Sequence, residues 1–181
     1  MSSNLETNLV WMDLEMSGLD PKTCSILEVA TLITDKDLNV IAQSPALVVH
    51  QPQWVLNAMD DWNKEHHTQS GLINAVKASK VTSAEAERQT LEFVARYCKP
   101  QYSPLCGNTI YQDRRFLTEH MPKLESFFHY RLVDVSTIKE LVKRWYGPEF
   151  QAPPKKKAHK ALEDILETIE ELRFYRKTVF K

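Results

Sequence analysis

Five of the six residues from Leu9 to Leu14 are apolar, and the run stops at Ser17-Gly18-Leu19-Asp20-Pro21. Gly and Pro are turn formers, so this pattern reads as a central strand followed by a loop. Ile26 to Thr34 and Val40 to Val49 are also rich in β-branched residues, with a turn-like Asp35-Lys36-Asp37 between them. The three runs form a meander. Helical signals come later. Thr82-Ser83-Ala84-Glu85 has the capping-box form, and Leu91, Val94, Ala95 and Cys98 repeat at helical spacing before Pro100. Pro104 to Asn108 reads as a short buried strand, Asp113 to His120 and Val135 to Trp145 as helices, and Gly147 to Lys157 as an exposed connection. In the last helix Leu162, Ile165, Leu166, Ile169 and Leu172 make an apolar stripe that a sheet or helix must cover. Strands first and helices afterwards imply an α/β fold, a mixed β-sheet flanked by α-helices.

A chain of 181 residues, 43% hydrophobic, suits one buried core, so a single domain over 1–181 is expected. Its 23 basic and 24 acidic residues leave a net charge of -1. That balance excludes a long polyanion as the main partner, because binding along such a track relies on many Lys and Arg displacing counterions. A short nucleic acid in one pocket is compatible with it. Cys24, Cys98 and Cys106 are odd in number and lack C-x-x-C spacing, which points away from a disulfide framework or structural zinc and towards a reducing compartment. The polar Met1 to Asn8 and the lack of about 18 consecutive apolar residues predict a cytoplasmic protein with no membrane partner.

Three short patterns carry chemistry. Asp13 and Glu15 stand two apart on the first strand, so alternation puts both side chains on one face. Two close carboxylates in an apolar setting need a proton or a cation between them, although a strand end emerging into solvent explains the same pattern. Asp113 follows Gly107-Asn108-Thr109-Ile110-Tyr111-Gln112 at a strand-to-helix junction, where a helix dipole favours an acid for purely structural reasons. His159 and Asp164 flank the start of the last helix. Five residues at about 100° each separate them by roughly 140°, so His159 must reach any shared site from another direction. By its offset from the stripe, Asp164 is expected off the apolar face.

Taken in order, the acidic pair, the Asp after a middle strand and the final His-x4-Asp resemble the motifs of the DEDDh 3'-to-5' exonucleases, which have a ribonuclease H-like fold. Longer stretches resemble the oligoribonuclease branch of that group. They are Trp11-Met12-Asp13-Leu14-Glu15-Met16-Ser17-Gly18-Leu19-Asp20-Pro21, Met59-Asp60-Asp61-Trp62-Asn63, Cys106-Gly107-Asn108 with Gln112-Asp113-Arg114-Arg115-Phe116-Leu117, and Phe128-His129-Tyr130-Arg131 with Asp134-Val135-Ser136-Thr137. The likeness spans nearly the whole chain. It implies that Asp13, Glu15, Asp113 and Asp164 hold two divalent cations, about 3.5–4 Å apart in enzymes of this kind. All-oxygen ligation favours Mg²⁺ or Mn²⁺.

The resemblance further implies His159 as the general base, whose ordinary pKa near neutrality suits the task. Leu19 would be a wedge beside the base, and Trp62 and His67 stacking surfaces that tolerate any base. Without the family, Trp62 reads equally as a core aromatic and His67 as half of a surface His pair with His66. Tyr130 would reach the partner subunit's active site in a homodimer, whereas the sequence alone makes it a strand residue packed on a core. Thr109, Arg131 and Ser136 would cap the terminal phosphate of very short RNA, including dinucleotides such as pGpG. Tyr111, where the family often has a small residue, and Lys155-Lys156-Lys157 depart from the pattern. Three other functions remain open at this level: a DNA-directed exonuclease of the same superfamily, a non-catalytic nucleotide-binding module, and a glycosidase using Asp13 and Glu15. The last has no use for the later Asp and His-x4-Asp motifs.

Overall fold

The structure is a computed structural model and describes residues 5–154 and 160–180. Strand β1 covers Leu9–Met16, two residues past the apolar run, so Asp13 and Glu15 lie within the sheet and not beyond its end. It pairs antiparallel with β2 (Ile26–Thr34), Trp11 opposite Leu32 and Glu15 opposite Glu28. β2 in turn pairs with β3 (Val40–Gln43), completing the expected meander. The third run is not continuous. It breaks at Ser44-Pro45, where Pro has no N–H for a ladder, and resumes as β4 (Leu47–Val48) on another part of β2.

Three short helices follow, α1 (Gln53–Ala58), α2 (Asp61–Gln69) and α3 (Leu72–Ala78). No apolar periodicity announces α2, whose sequence is DWNKEHHTQ; it starts where the Asp60 side chain accepts the Asn63 N–H at 2.7 Å. Helix α4 (Ser83–Ala95) opens as expected, with Thr82 Oγ1 accepting the Glu85 N–H at 3.2 Å. The Glu85 carboxylate holds Arg88 and Gln89. The remaining elements are β5 (Pro104–Gly107), α5 (Ile110–His120), α6 (Pro122–Glu125), β6 (His129–Asp134), α7 (Val135–Trp145), a 3₁₀ turn at Pro148–Phe150 and α8 (Ala161–Thr178). The strand order is β3-β2-β1-β5-β6, with β1, β5 and β6 parallel.

Alternation along β1 divides the core. Val10, Met12 and Leu14 pack with α4, α5 and α6, while Trp11 packs with α7 and α8 on the other face. Asp13 and Glu15 share that second face by the same period-two rule. Trp11 is fully buried, and its Nε1–H donates to Thr34 Oγ1 at 2.9 Å. Burial on α8 differs from the expected stripe. Leu166 is 39% exposed, and the buried set is Ala161, Ile165, Thr168, Ile169, Glu171 and Tyr175. Thr168 can be buried because its hydroxyl donates to the Asp164 carbonyl one turn earlier, at 2.7 Å, a bond that hydropathy does not register. Asp164, three residues after Ala161 and four before Thr168, therefore belongs to the margin of the buried face.

Gly107 ends β5 against β1. A Cβ there would lie 2.9 Å from the Met12 carbonyl oxygen and 2.7 Å from Ile110 Cδ1. Gly107→Ala is expected to cost about 1–3 kcal/mol of stability, or roughly 2–4 °C of melting temperature per kcal/mol in a chain of this length. An unchanged melting curve would show that β5 can move away from Met12 freely.

Candidate active site

Strand β1 and the first turn of α8 bring three acids together. One carboxylate oxygen each of Asp13, Glu15 and Asp164 lies within 4.8 Å of the others. The fourth acid arrives from the opposite layer. β5 pairs with β1 only through Val10 and Trp11, so further along that edge the strand needs other partners. Asp113, in the first turn of α5, supplies one: its Oδ1 accepts the Leu14 N–H at 2.9 Å. A backbone bond at the residue between Asp13 and Glu15 thereby anchors the fourth carboxylate.

These acids resist ionising together. Burial pushes Glu15 up to about 7, and Glu28, Asp164 and Asp113 add to the rise. Asp113 is also raised to about 7, chiefly by burial and slightly by Asp134, against the lowering effect of its backbone hydrogen bonds. Glu28, directly across the sheet from Glu15, is raised by burial as well. An all-oxygen group of this kind fits a hard divalent cation, which would relieve the mutual repulsion.

The surrounding residues are fixed in distinct ways. His67 is 2% exposed, and because a carbonyl can only accept, its Nε2–H donates to the Met16 carbonyl at 2.9 Å. Its Nδ1 sits 3.9 Å from Glu15 Oε2, with no hydrogen-bond partner among the described residues. Burial holds the ring below its ordinary pKa. Leu19 is 75% exposed on the loop after β1. The Gln112 amide donates to the Leu19 carbonyl, and the His120 ring bonds the Pro21 carbonyl at 2.9 Å. Trp62 is exposed and stacks on His66, centroids 4.8 Å apart and planes 8° from parallel.

Thr109 has φ +54°, an unusual backbone for a β-branched residue. Its N–H donates to both Asp134 Oδ1 and Ser136 Oγ at 3.0 Å, and Ser136 in turn donates to Asp134. Tyr130 stands apart from the acids, 70% exposed and leaning on the His129 ring.

The family model described as "Exonuclease" matches residues 10–172. Over 174 residues, 96% of each chain, the sequence is 54% identical to a protein of Shewanella frigidimarina named "Oligoribonuclease". A protein of Acinetobacter baylyi with the same name is 53% identical, covering 99% of this chain and 98% of its own. The chain belongs to the oligoribonuclease family.

Among solved structures, the fold of this oligoribonuclease-family chain is similar to exonuclease I from Methylocaldum szegediense, with a TM-score of 0.70 and 18% identity over 97% of this chain. It is similar also to E. coli exonuclease I in complex with a 5cy-dT13 oligonucleotide, with a TM-score of 0.70 and 13% identity over 96% of this chain. The chain spans 41% of the length of each of those two proteins. The α/β, ribonuclease H-like sheet is thus the observed fold.

Three readings from the sequence need correction. Tyr130 is on a strand, but exposed rather than packed on a core. Trp62 is not a core aromatic, since α2 turns it outward. His67 is neither half of a surface pair nor an open stacking surface, because its ring is buried between Met16 and Glu15. His159 and Lys155-Lys156-Lys157 lie outside the described residues. Glu28 belongs to none of the three chemical patterns, although a lone acid within ILEVATLIT is itself a signal that something offsets its charge.

The raised acids set a pH dependence. Unfolded, Glu15 and Asp113 ionise near about 4; folded without a cation, they keep protons to about 7. The folded state therefore holds more protons across that window, and the stability of the cation-free chain falls as pH rises through it. Melting curves in chelator should show this fall. Excess Mn²⁺ should raise the melting temperature more above the window than below it, and an equal gain on both sides would contradict the assignment.

Proposed function

We propose that this chain is a 3'-to-5' exoribonuclease that degrades very short RNA, dinucleotides such as pGpG included, to 5'-mononucleotides. The observation that carries the reading is the convergence of Asp13, Glu15 and Asp164, with Asp113 anchored beside them, in a chain similar end to end to proteins named "Oligoribonuclease". The four acids would hold two divalent cations, Mg²⁺ or Mn²⁺. When bound, such ions acidify an attacking water and stabilise the charge on the reacting phosphate and leaving oxygen. His159 takes the proton of that water.

The rest of the work falls to binding residues. Leu19, held outward by the bond from Gln112, and the free face of Trp62 offer a wedge and a stacking platform that accept any base. Thr109 and Ser136 stand at the starts of α5 and α7, where helix dipoles favour an anion. With the fork of Arg131 they cap the 5'-terminal phosphate, which limits the length of chain that fits. The exposure of Tyr130 supports its delivery to a partner's active site, so the active form is a homodimer.

The fold as one domain over 1–181 and a cytoplasmic location complete the reading. Three free thiols fit a reducing compartment, and no helix among the described residues is long and apolar enough to cross a membrane.

Hydrolysis of a 5'-phosphorylated diribonucleotide should outpace that of a longer RNA and of matched DNA, and should stop in chelator. Preference for the longer DNA would place the chain with DNA-directed exonucleases, and no turnover of any would leave a binding module. Asp13→Ala and Asp113→Ala should abolish turnover with folded far-UV spectra. Trp62→Ala should lower kcat/KM about 5–150-fold, the value of one lost base stack; undiminished activity would remove Trp62 from the platform.

A further inference from the structure

Strand β6 leaves the ladder where it displays Tyr130. Its register against β5 runs from His129 opposite Pro104 to Leu132 opposite Leu105, so Tyr130 and Arg131 are extra residues that bulge out. A bulge frees backbone carbonyls that need partners elsewhere. Arg114 supplies them: its Nη1 donates to the carbonyls of both His129 and Tyr130, at 3.0 and 2.9 Å.

The guanidinium is itself held from behind. Its Nε and Nη2 meet Glu125 Oε1 at 2.9 and 2.8 Å, and both side chains are largely shielded from water, at 17% and 23% exposure. Shielding of this degree makes the pair more rigid than one on an open surface, where solvent competes for both partners. On the outer side of the bulge, His129 Nδ1 accepts the Arg131 N–H at 3.1 Å, and the Tyr130 ring leans on the His129 ring with centroids 4.4 Å apart. The bulge is thus gripped at both ends, while the Tyr130 ring projects into solvent. Arg114 also directly follows Asp113 on α5. One helical turn therefore anchors a carboxylate to β1 and a projecting Tyr to β6.

We infer that Arg114 is a positioning residue for the reaction: braced by Glu125, it holds the His129–Arg131 bulge in the shape that presents Tyr130. The inference rests on the reading that Tyr130 takes part in turnover. The Arg114 guanidinium is spent on Glu125 and on the two bulge carbonyls, so its effect should pass through Tyr130.

A double-mutant cycle on kcat/KM for the 5'-phosphorylated diribonucleotide tests this, with melting temperatures measured on the same samples. Arg114→Gln should lower kcat/KM by up to about a hundredfold, as misplacing a group at the site does. Tyr130→Ala should lower it as a single variant too. In the Tyr130→Ala background, Arg114→Gln should still lower the melting temperature but leave kcat/KM nearly unchanged, because the group it positions is gone. Losses that multiply in the double variant would overturn the inference and leave Tyr130 in place. Full activity of Tyr130→Ala alone would remove Tyr130 from the reaction and the role of Arg114 with it. If Arg114→Gln melts below the assay temperature, Arg114→Lys takes its place in the cycle, since a point charge cannot span both carbonyls and the carboxylate; the same non-additivity is expected.

Discussion

The hydrogen bond from the Leu14 N–H to Asp113 is the point on which the site turns. β1 outruns its parallel neighbour, and a strand edge inside a protein must find acceptors for its N–H groups. Filling that need with a carboxylate from α5 places an acid from one layer of the fold beside two acids that face the other layer. The close approach of Gly107 to Met12 serves the same end, because it lets β5 stop and α5 begin within reach of Leu14.

The cost of the arrangement is electrostatic. Glu15, Glu28 and Asp113 are all held above their ordinary pKa values by burial, and Glu15 also feels the charges of its neighbours. A fold seeking stability alone would not desolvate so many acids near one another. Such a cluster makes sense as a place where divalent cations offset the charge, so the same residues that weaken the cation-free chain tighten its hold on the metal.

The first turn of α5 coordinates more than the acids. Three consecutive side chains reach three different segments: Gln112 the loop that carries Leu19, Asp113 the backbone of β1, and Arg114 the bulge of β6. Each of these contacts ties its own segment to the same stretch of helix. Precision of this kind comes from bonds to backbone atoms, which side-chain substitutions elsewhere leave in place.

Much of this was readable without coordinates. The meander, the Thr82 cap, β5, α7 and the shared face of Asp13 and Glu15 follow from local rules: period two along a strand, period 3.6 along a helix, and turn residues between them. Asp164 lies nearer the buried face than hydropathy places it, because hydropathy counts Leu166 and passes over Thr168, whose hydroxyl is satisfied within its own helix. The polar helix α2, with its outward Trp62 and inward His67, has no apolar period to betray it, and only its packing on the end of β1 decides which ring is buried. The bulge at Tyr130 likewise depends on a register between two strands distant in sequence. Local chemistry determined which residues could serve; long-range pairing decided which of them meet, because hydrogen-bond partners such as Leu14 and Asp113 lie 99 residues apart in sequence.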